Sequence, residues 1–246
     1  MLLFLPVVLL VLTLGALGAN MQRGFRSSWL LALAGASLAW VSLLFLRFQL
    51  PLTVNLPFWW AGEGLEYPLI FVMDNLSWSL AFTACSLLVA ALLGQVREAV
   101  MASWVTWAPG LTITSAGLLA ALSGDLLTFL FTWTLLDLLV IALQISGLRR
   151  AEERQRVLQQ VSVLFIGTFV LFAAWIFSFY GQELAAILSF VSVSLRLGLW
   201  TPRPTGSSPA ALRKDLASVI LLVPLAASLA LLVRLEAIAE PGGGRC

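Results

Sequence analysis

Histidine is absent from the 246 residues, and cysteine occurs only twice, at Cys85 inside an apolar run and at Cys246. Zinc sites of the usual histidine-containing kinds and histidine proton relays are therefore excluded. Two cysteines are too few for a disulfide scaffold or an iron–sulfur cluster, and no histidine is present to bind haem. Gly-rich nucleotide motifs are missing too, so we expect no metal or cofactor site in this chain.

Charged residues are also scarce, because they make up 11% of the chain while hydrophobic residues make up 61%, and the mean hydropathy is +1.00. Soluble domains are roughly 45–50% apolar and about 25% charged. The composition therefore predicts an integral membrane protein. A net charge of +2 gives no indication of nucleic-acid binding.

The apolar runs are long enough for several membrane spans, since a spanning helix needs about 20 apolar residues. We predict an all-α integral membrane fold with eight spans, at residues 2–19, 29–46, 69–93, 101–121, 125–146, 159–180, 184–200 and 216–235. The prolines of TPRPTGSSP follow the seventh span and predict a broken seventh helix. Seven spans is the alternative.

Basic residues alternate between the connections of these spans. Ten of the Lys and Arg residues fall in one set of connections and three in the other, with Arg196 left inside a span. The positive-inside bias makes the first set cytoplasmic, so both termini are predicted on the non-cytoplasmic side. Trp59, Trp60 and Tyr67 in the outer loop 47–68 then suit the lipid headgroup level, although a quinone or lipid pocket there is the alternative.

Three ionisable residues fall within the predicted spans: Asp74, Asp137 and Arg196. Each costs about 2.5–3.5 kcal/mol at the bilayer centre, so each should face protein or water and find a partner. Asp137 is either a proton carrier or a buried group that fixes helix packing. Arg196 either pairs with an acid or extends towards the nearby cytoplasmic interface. Asp74 is more often an anchoring residue than a member of a proton relay.

Polar residues share faces with two of these charges. Thr134 and Gln144 lie near the same helical face as Asp137, and Ser189 and Ser192 lie on the face of the next-but-one span that ends at Arg196. The two polar stripes could meet, which would pair Asp137 with Arg196. A guanidinium stays protonated in proteins, so such a pair holds charge without passing a proton on.

Four motifs in order resemble the antiporter-like subunits of respiratory complex I and of Mrp-type cation/proton antiporters. They are Phe71-Val-Met-Asp74-Asn-Leu-Ser77, Ser123-Gly-Asp-Leu-Leu-Thr-Phe-Leu-Phe-Thr-Trp133, Arg196-Leu-Gly-Leu-Trp-Thr-Pro-Arg203 and Leu231-Leu-Val-Arg234-Leu235. The resemblance implies a core of two inverted five-helix repeats, each with a broken helix. It divides this chain into a three-helix segment at 1–100, one five-helix antiporter-like repeat at 101–235 and a flexible tail at 236–246.

The sequence departs from the family pattern where the family carries its proton relay. Thr134 stands where the family places a Glu after Trp, with Asp137 the nearest acid, and Arg196 stands where the family places a Lys. The eighth span, VILLVPLAASLALLV, lacks the usual mid-membrane Lys or His. The chain also stops after the first repeat.

The resemblance implies a truncated antiporter-like subunit in the membrane arm of a complex I-type NADH:quinone oxidoreductase, mainly structural or contributing at most half a proton path. Its partners would be other membrane subunits and lipid, and flavin, iron–sulfur clusters and quinone would belong to partner subunits. The expected location is an energy-coupling membrane of the bacterial cytoplasmic type. The alternative is a subunit of an Mrp-type antiporter or of an inorganic-carbon uptake complex, in which Asp137 would be a working ion site.

Overall fold

The computed structural model describes residues 2–19, 25–57, 68–94, 104–146 and 151–200. A 3₁₀ turn at Leu2–Phe4 leads into the first helix. The helices are α1 (Leu5–Ala19), α2 (Phe25–Leu46), α3 (Asn75–Gly94), α4 (Trp104–Ala121), α5 (Leu126–Ser146), α6 (Ala151–Phe177) and α7 (Gln182–Trp200). The eighth predicted span at 216–235, the Pro-rich break and the tail lie outside the described residues.

Three helical segments in the described part are long and apolar enough to cross a membrane, at Leu2–Ala19, Ser28–Gln49 and Asn75–Gly94. Shorter apolar stretches occupy α5, α6 and α7, at Leu126–Ala142, Val161–Phe177 and Glu183–Ser192. The chain is a mostly helical membrane protein. Helix α6 begins at Ala151, eight residues before the predicted span, because its Arg- and Glu-rich first turns extend the helix beyond the apolar stretch.

The predicted third span at 69–93 is wrong at its start, and the fold is not purely helical. Leu69–Met73 forms strand β2, which pairs antiparallel with strand β1 (Leu52–Leu56), so that Leu52 is opposite Met73 and Leu56 is opposite Leu69. Alternate residues Leu69, Phe71 and Met73 are buried. A short apolar run followed directly by a helix has the same hydropathy as a longer helix, so the boundary was not visible in the pattern.

The hairpin is attached to the turn between α4 and α5. The backbone N–H of Val72 donates to the carbonyl of Leu122 at 2.7 Å, and the N–H of Gly124 donates to the carbonyl of Ile70 at 2.8 Å. A Cβ atom on Gly124 would lie 2.7 Å from Cγ2 of Val72, so only glycine permits this approach. The hairpin and the turn thus form one extended layer at the end of the helices, the hairpin face.

Helix α4 is central, because it packs against α1, α2, α3 and α5. The largest apolar core lies between α1, α2, α3, α4 and the hairpin, and includes Leu10, Leu43, Met73, Leu88 and Leu118. Helix α5 then packs against α6, and α6 packs against α7. This order places the predicted polar positions of α5 and α7 on either side of α6.

Candidate functional site

Asp137 lies near the middle of α5, eleven residues after Leu126 and hence about 16 Å along the helix axis. Its side chain is only 7% exposed. On one side of it α5 packs against α4 through Leu136 and Val140, while Leu138 is exposed on the opposite side. A carboxylate at this depth requires polar partners, because an unpaired charge in an apolar interior is costly.

A hydroxyl of α6 supplies one such partner. The Oγ1 of Thr168 donates to Oδ2 of Asp137 at 3.2 Å. The same hydroxyl lies 3.0 Å from the carbonyl of Leu164 in its own helix, so the carboxylate and the carbonyl share one hydrogen. The contact fixes the position of Asp137 against α6 through a neutral group.

Helix α7 meets α6 at the adjacent residue. The hydroxyl of Ser192 is fully buried and donates to the carbonyl of Gly167 at 2.7 Å. Ser189, one turn earlier, is also buried, and its hydroxyl donates to the carbonyl of Ala185 within α7. The predicted polar stripes of α5 and α7 are therefore both directed at α6, where Gly167 and Thr168 receive them side by side.

The other predicted residue of α5, Thr134, is held by its own helix. Its Oγ1 donates to the carbonyl of Leu130 at 2.7 Å, and the side chain is half-buried. A hydroxyl bonded back to the preceding turn satisfies its own donor locally. Thr134 shares a helix with Asp137, and no described hydrogen bond joins their side chains.

Asp74 precedes α3 and does not lie inside a span. Its Oδ1 accepts the backbone N–H of Ser77 at 2.8 Å, and its carbonyl accepts the N–H of Trp78 at 2.9 Å. This is the geometry of a helix N-cap, in which a side-chain oxygen satisfies a backbone donor of the first turn. The position on the hairpin face fits the predicted anchoring role.

Arg196 lies in α7 one turn beyond Ser192. The side chains of Arg196 and Gln144 are outside the part that the structure describes, so the pairing of Arg196 with Asp137 stays a prediction. Among the described residues, no group of three or more His, Cys, Asp or Glu side chains could hold a metal ion.

Two residues of this region were not found from the sequence. Thr168 is one hydroxyl in an apolar run, and nothing in its own helix indicates which face of α5 it meets. Asp125 caps α5 through Oδ1, which accepts the N–H of Thr128 at 3.2 Å. The signal for Asp125 is present, because Asp-Leu-Leu-Thr repeats the capping spacing of Asp-Asn-Leu-Ser at Asp74.

No protein-family model matches this sequence, and no curated protein is similar to it. Two solved structures share its fold. The first is a chain of the membrane-bound sulfane sulfur reductase, an archaeal respiratory membrane complex, with a TM-score of 0.63 and 14% identity over 99% of this chain and 42% of that chain. The second is a chain of respiratory complex I from Thermus thermophilus with bound aureothin, with a TM-score of 0.60 and 19% identity over 93% of this chain and 52% of that chain.

These likenesses establish the fold, which agrees with the resemblance to antiporter-like membrane subunits in the sequence motifs. The chain spans about half the length of each matched chain or less. It therefore shares its architecture with one part of each larger chain.

Proposed function

We propose that this chain is a membrane-arm subunit of a multi-subunit respiratory complex of the complex I type. The observation that carries the proposal is the fold likeness over 99% and 93% of the chain to chains of two respiratory membrane complexes. Its partners are the other membrane subunits of that complex. In this role the chain works within an energy-coupling membrane.

The contribution of the chain itself is mainly structural. A hydroxyl passes a proton only when its own hydrogen is free to move to the next acceptor. The hydroxyls of Thr134 and Ser189 donate to carbonyls of their own helices, and that of Ser192 donates to a carbonyl of α6. These contacts fasten helices together and leave Asp137 as the one described carboxylate buried among them.

The same buried Asp137 supports a second role, that of half a proton path. It lies at mid-depth, is almost fully enclosed and bonds to a side chain of another helix. Intramembrane carboxylates in such positions are frequent members of proton relays. In this role the other half of the path is contributed by a partner subunit.

Redox chemistry belongs to partners in either role, because the chain has two cysteines and no histidine. Flavin, iron–sulfur clusters and quinone would be held by other subunits of an NADH:quinone oxidoreductase-type complex. NADH would then be the electron donor. The chain would anchor or extend the membrane part of that assembly.

Co-purification from native membranes tests the proposal. An affinity tag on this chain should recover flavin and iron–sulfur absorbance together with other membrane subunits, and the recovered assembly should oxidise NADH. The same membranes carrying an untagged chain provide the control. Recovery of membrane subunits without flavin or iron–sulfur signals would contradict the proposal and favour an Mrp-type antiporter or an inorganic-carbon uptake complex.

A further inference from the structure

Four side chains form a column in the groove between α2 and α3, which we call the aromatic groove. The rings of Trp78 and Phe82 are stacked, with centroids 5.1 Å apart and planes at 12°. Trp40 continues the column, with its ring centroid 5.4 Å from that of Phe82. At the hairpin end the guanidinium carbon of Arg47 lies 4.7 Å from the centroid of the Trp78 ring.

The polar atoms of the two indoles are satisfied inside the protein. Nε1 of Trp40 donates to Oγ of Ser86 at 2.9 Å, and Nε1 of Trp78 donates to the carbonyl of Leu43 at 2.7 Å. Both bonds run between α2 and α3, so they fix the rings in place. The rings of Trp40, Trp78 and Phe82 are half-buried and present carbon surface on their outer side. The groove is therefore apolar and rigid.

Arg47 is an exposed cation at the end of this groove. Its Nη1 donates to Oδ1 of Asn75 at 2.7 Å, which uses one of the five donors of a guanidinium on a neutral acceptor. Within the described ranges no carboxylate forms an ion pair with Arg47. The adjacent Asp74 directs Oδ1 to the backbone N–H of Ser77. The charge of Arg47 thus remains available to an anion outside the chain.

The spacing of the column matches a phospholipid. Arg47 and Trp40 are seven residues apart in the chain, which corresponds to about 10 Å along a helix axis. An anion at Arg47 would lie at the headgroup level, and a chain extending from it would reach Phe82 and Trp40 in the hydrocarbon. Leu44, Phe45 and Phe48 are exposed beside the groove and continue its apolar surface.

We propose that the aromatic groove binds an anionic phospholipid from the leaflet on the hairpin face. The phosphate oxygens accept hydrogen bonds from the guanidinium of Arg47, which matches phosphate geometry. An acyl chain lies against the outer surfaces of Trp78, Phe82 and Trp40. Charge complementarity favours a lipid over a partner helix, because an apolar helix on this groove would bury the Arg47 charge without an anion.

Photolabelling of the full chain in its native assembly tests this site. The assembly is reconstituted into phosphatidylcholine vesicles that contain a minor fraction of phosphatidylglycerol with a photoreactive acyl chain, and the adducts are mapped by peptide mass spectrometry. Adducts should concentrate on residues 40–48 and 75–86. Arg47→Gln should lower this labelling about fivefold, as expected when one basic residue near an anionic headgroup is removed.

Three comparisons isolate the charge of Arg47. Arg47→Lys should retain part of the labelling, since a point charge replaces the planar donor array. Arg97→Gln removes a cation elsewhere in the chain and should leave labelling of the groove unchanged. A photoreactive phosphatidylcholine of the same acyl chain should label the groove more weakly and respond less to Arg47→Gln.

Several outcomes would overturn the proposal. These are adducts spread evenly over the exposed apolar faces of α5 and α6, labelling that Arg47→Gln does not change, or a groove closed to both probes in the assembly because a partner subunit covers it. If Arg47→Gln fails to assemble, competition decides in the unaltered protein. Unlabelled phosphatidylglycerol should then displace the probe better than phosphatidylcholine, and equal displacement would refute the site.

Discussion

The hydroxyl of Thr168 and the carboxylate of Asp137 meet across the α5–α6 contact at 3.2 Å. This bond is a described link between the buried acid and another helix, and it lies one residue from the point where Ser192 fastens α7 to the carbonyl of Gly167. Three helices are therefore joined at one depth. Their joint is where the structural and proton-carrying roles of this chain can be separated by mutation.

Replacing Thr168 tests the contribution of that bond to stability. Thr168→Val keeps the shape of the side chain but removes the donor, so we expect a loss of about 1–3 kcal/mol and a lower midpoint of thermal unfolding in detergent. Thr134→Val is the matched control, because its hydroxyl bonds only within α5 among the described contacts. The control should change stability by less than about 0.5 kcal/mol. Equal midpoints for both variants would contradict this assignment.

Asp137→Asn separates packing from proton transfer. The amide oxygen still accepts the Thr168 hydrogen, so the assembly and any coupled proton transfer should remain nearly unchanged if Asp137 is a packing group. Proton pumping by the assembly in vesicles measures this directly. A several-fold loss of pumping with intact assembly would refute the structural role and establish Asp137 as a member of a proton path.

Arg196→Ala tests the predicted pairing of Arg196 with Asp137. Removing the cation from a buried pair strands the carboxylate at a cost of about 3–5 kcal/mol, so the yield of assembled complex should fall sharply. Arg196→Lys should retain most of that yield. Ser194→Ala, which removes an exposed hydroxyl of the same helix, is the control and should have no effect. Normal assembly of Arg196→Ala would indicate that Arg196 extends to the interface instead.

Variants at Asp74 distinguish a helix cap from a relay acid. Asp74→Ala removes the acceptor for the Ser77 N–H and should cost about 1 kcal/mol, measured as a lower thermal midpoint. Asp74→Asn keeps a capping oxygen but has no carboxylate to protonate, so both stability and pumping should be retained. Loss of pumping in Asp74→Asn with an unchanged midpoint would show that the acid carries protons.

Gly124→Ala tests the close contact between the hairpin and the α4–α5 turn. The added methyl group would lie 2.7 Å from Cγ2 of Val72 and 2.9 Å from Cγ2 of Ile70, so we expect a loss of about 1–3 kcal/mol from overpacking. Gly15→Ala is the control, since nothing lies within 4 Å of its added Cβ. It should be neutral or slightly stabilising, because alanine favours helix more than glycine does. Similar midpoints for the two variants would contradict the contact.

Hydropathy located the helices well and the strand badly, for a physical reason. The long apolar runs of α1, α2 and α5 predict helices close to those observed, since a bilayer span fixes their length. Leu69–Met73 is equally apolar but too short to reveal its period before Asp74 caps the next helix. Its strand state depends on pairing with Leu52–Leu56 and with the Leu122–Gly124 turn, which local sequence does not encode.

The candidate site was predictable by residue type and incompletely by partner. A carboxylate in an apolar run identifies Asp137 by its energetic cost, and periodicity predicts that Ser189 and Ser192 share a buried face. Periodicity within one helix does not determine which neighbouring helix that face meets. Thr168 was missed for this reason, and Thr134 was grouped with Asp137 although its hydroxyl bonds within α5.

The pairing of Ile70 and Val72 with Leu122 and Gly124 sets an order for biosynthesis. About fifty residues separate the two sides of that pairing, and α3 and α4 lie between them. The later segment must leave the ribosome and be translocated before the earlier one can complete its hydrogen bonds. Membrane insertion of the fourth helix therefore precedes closure of the surface formed by the first three.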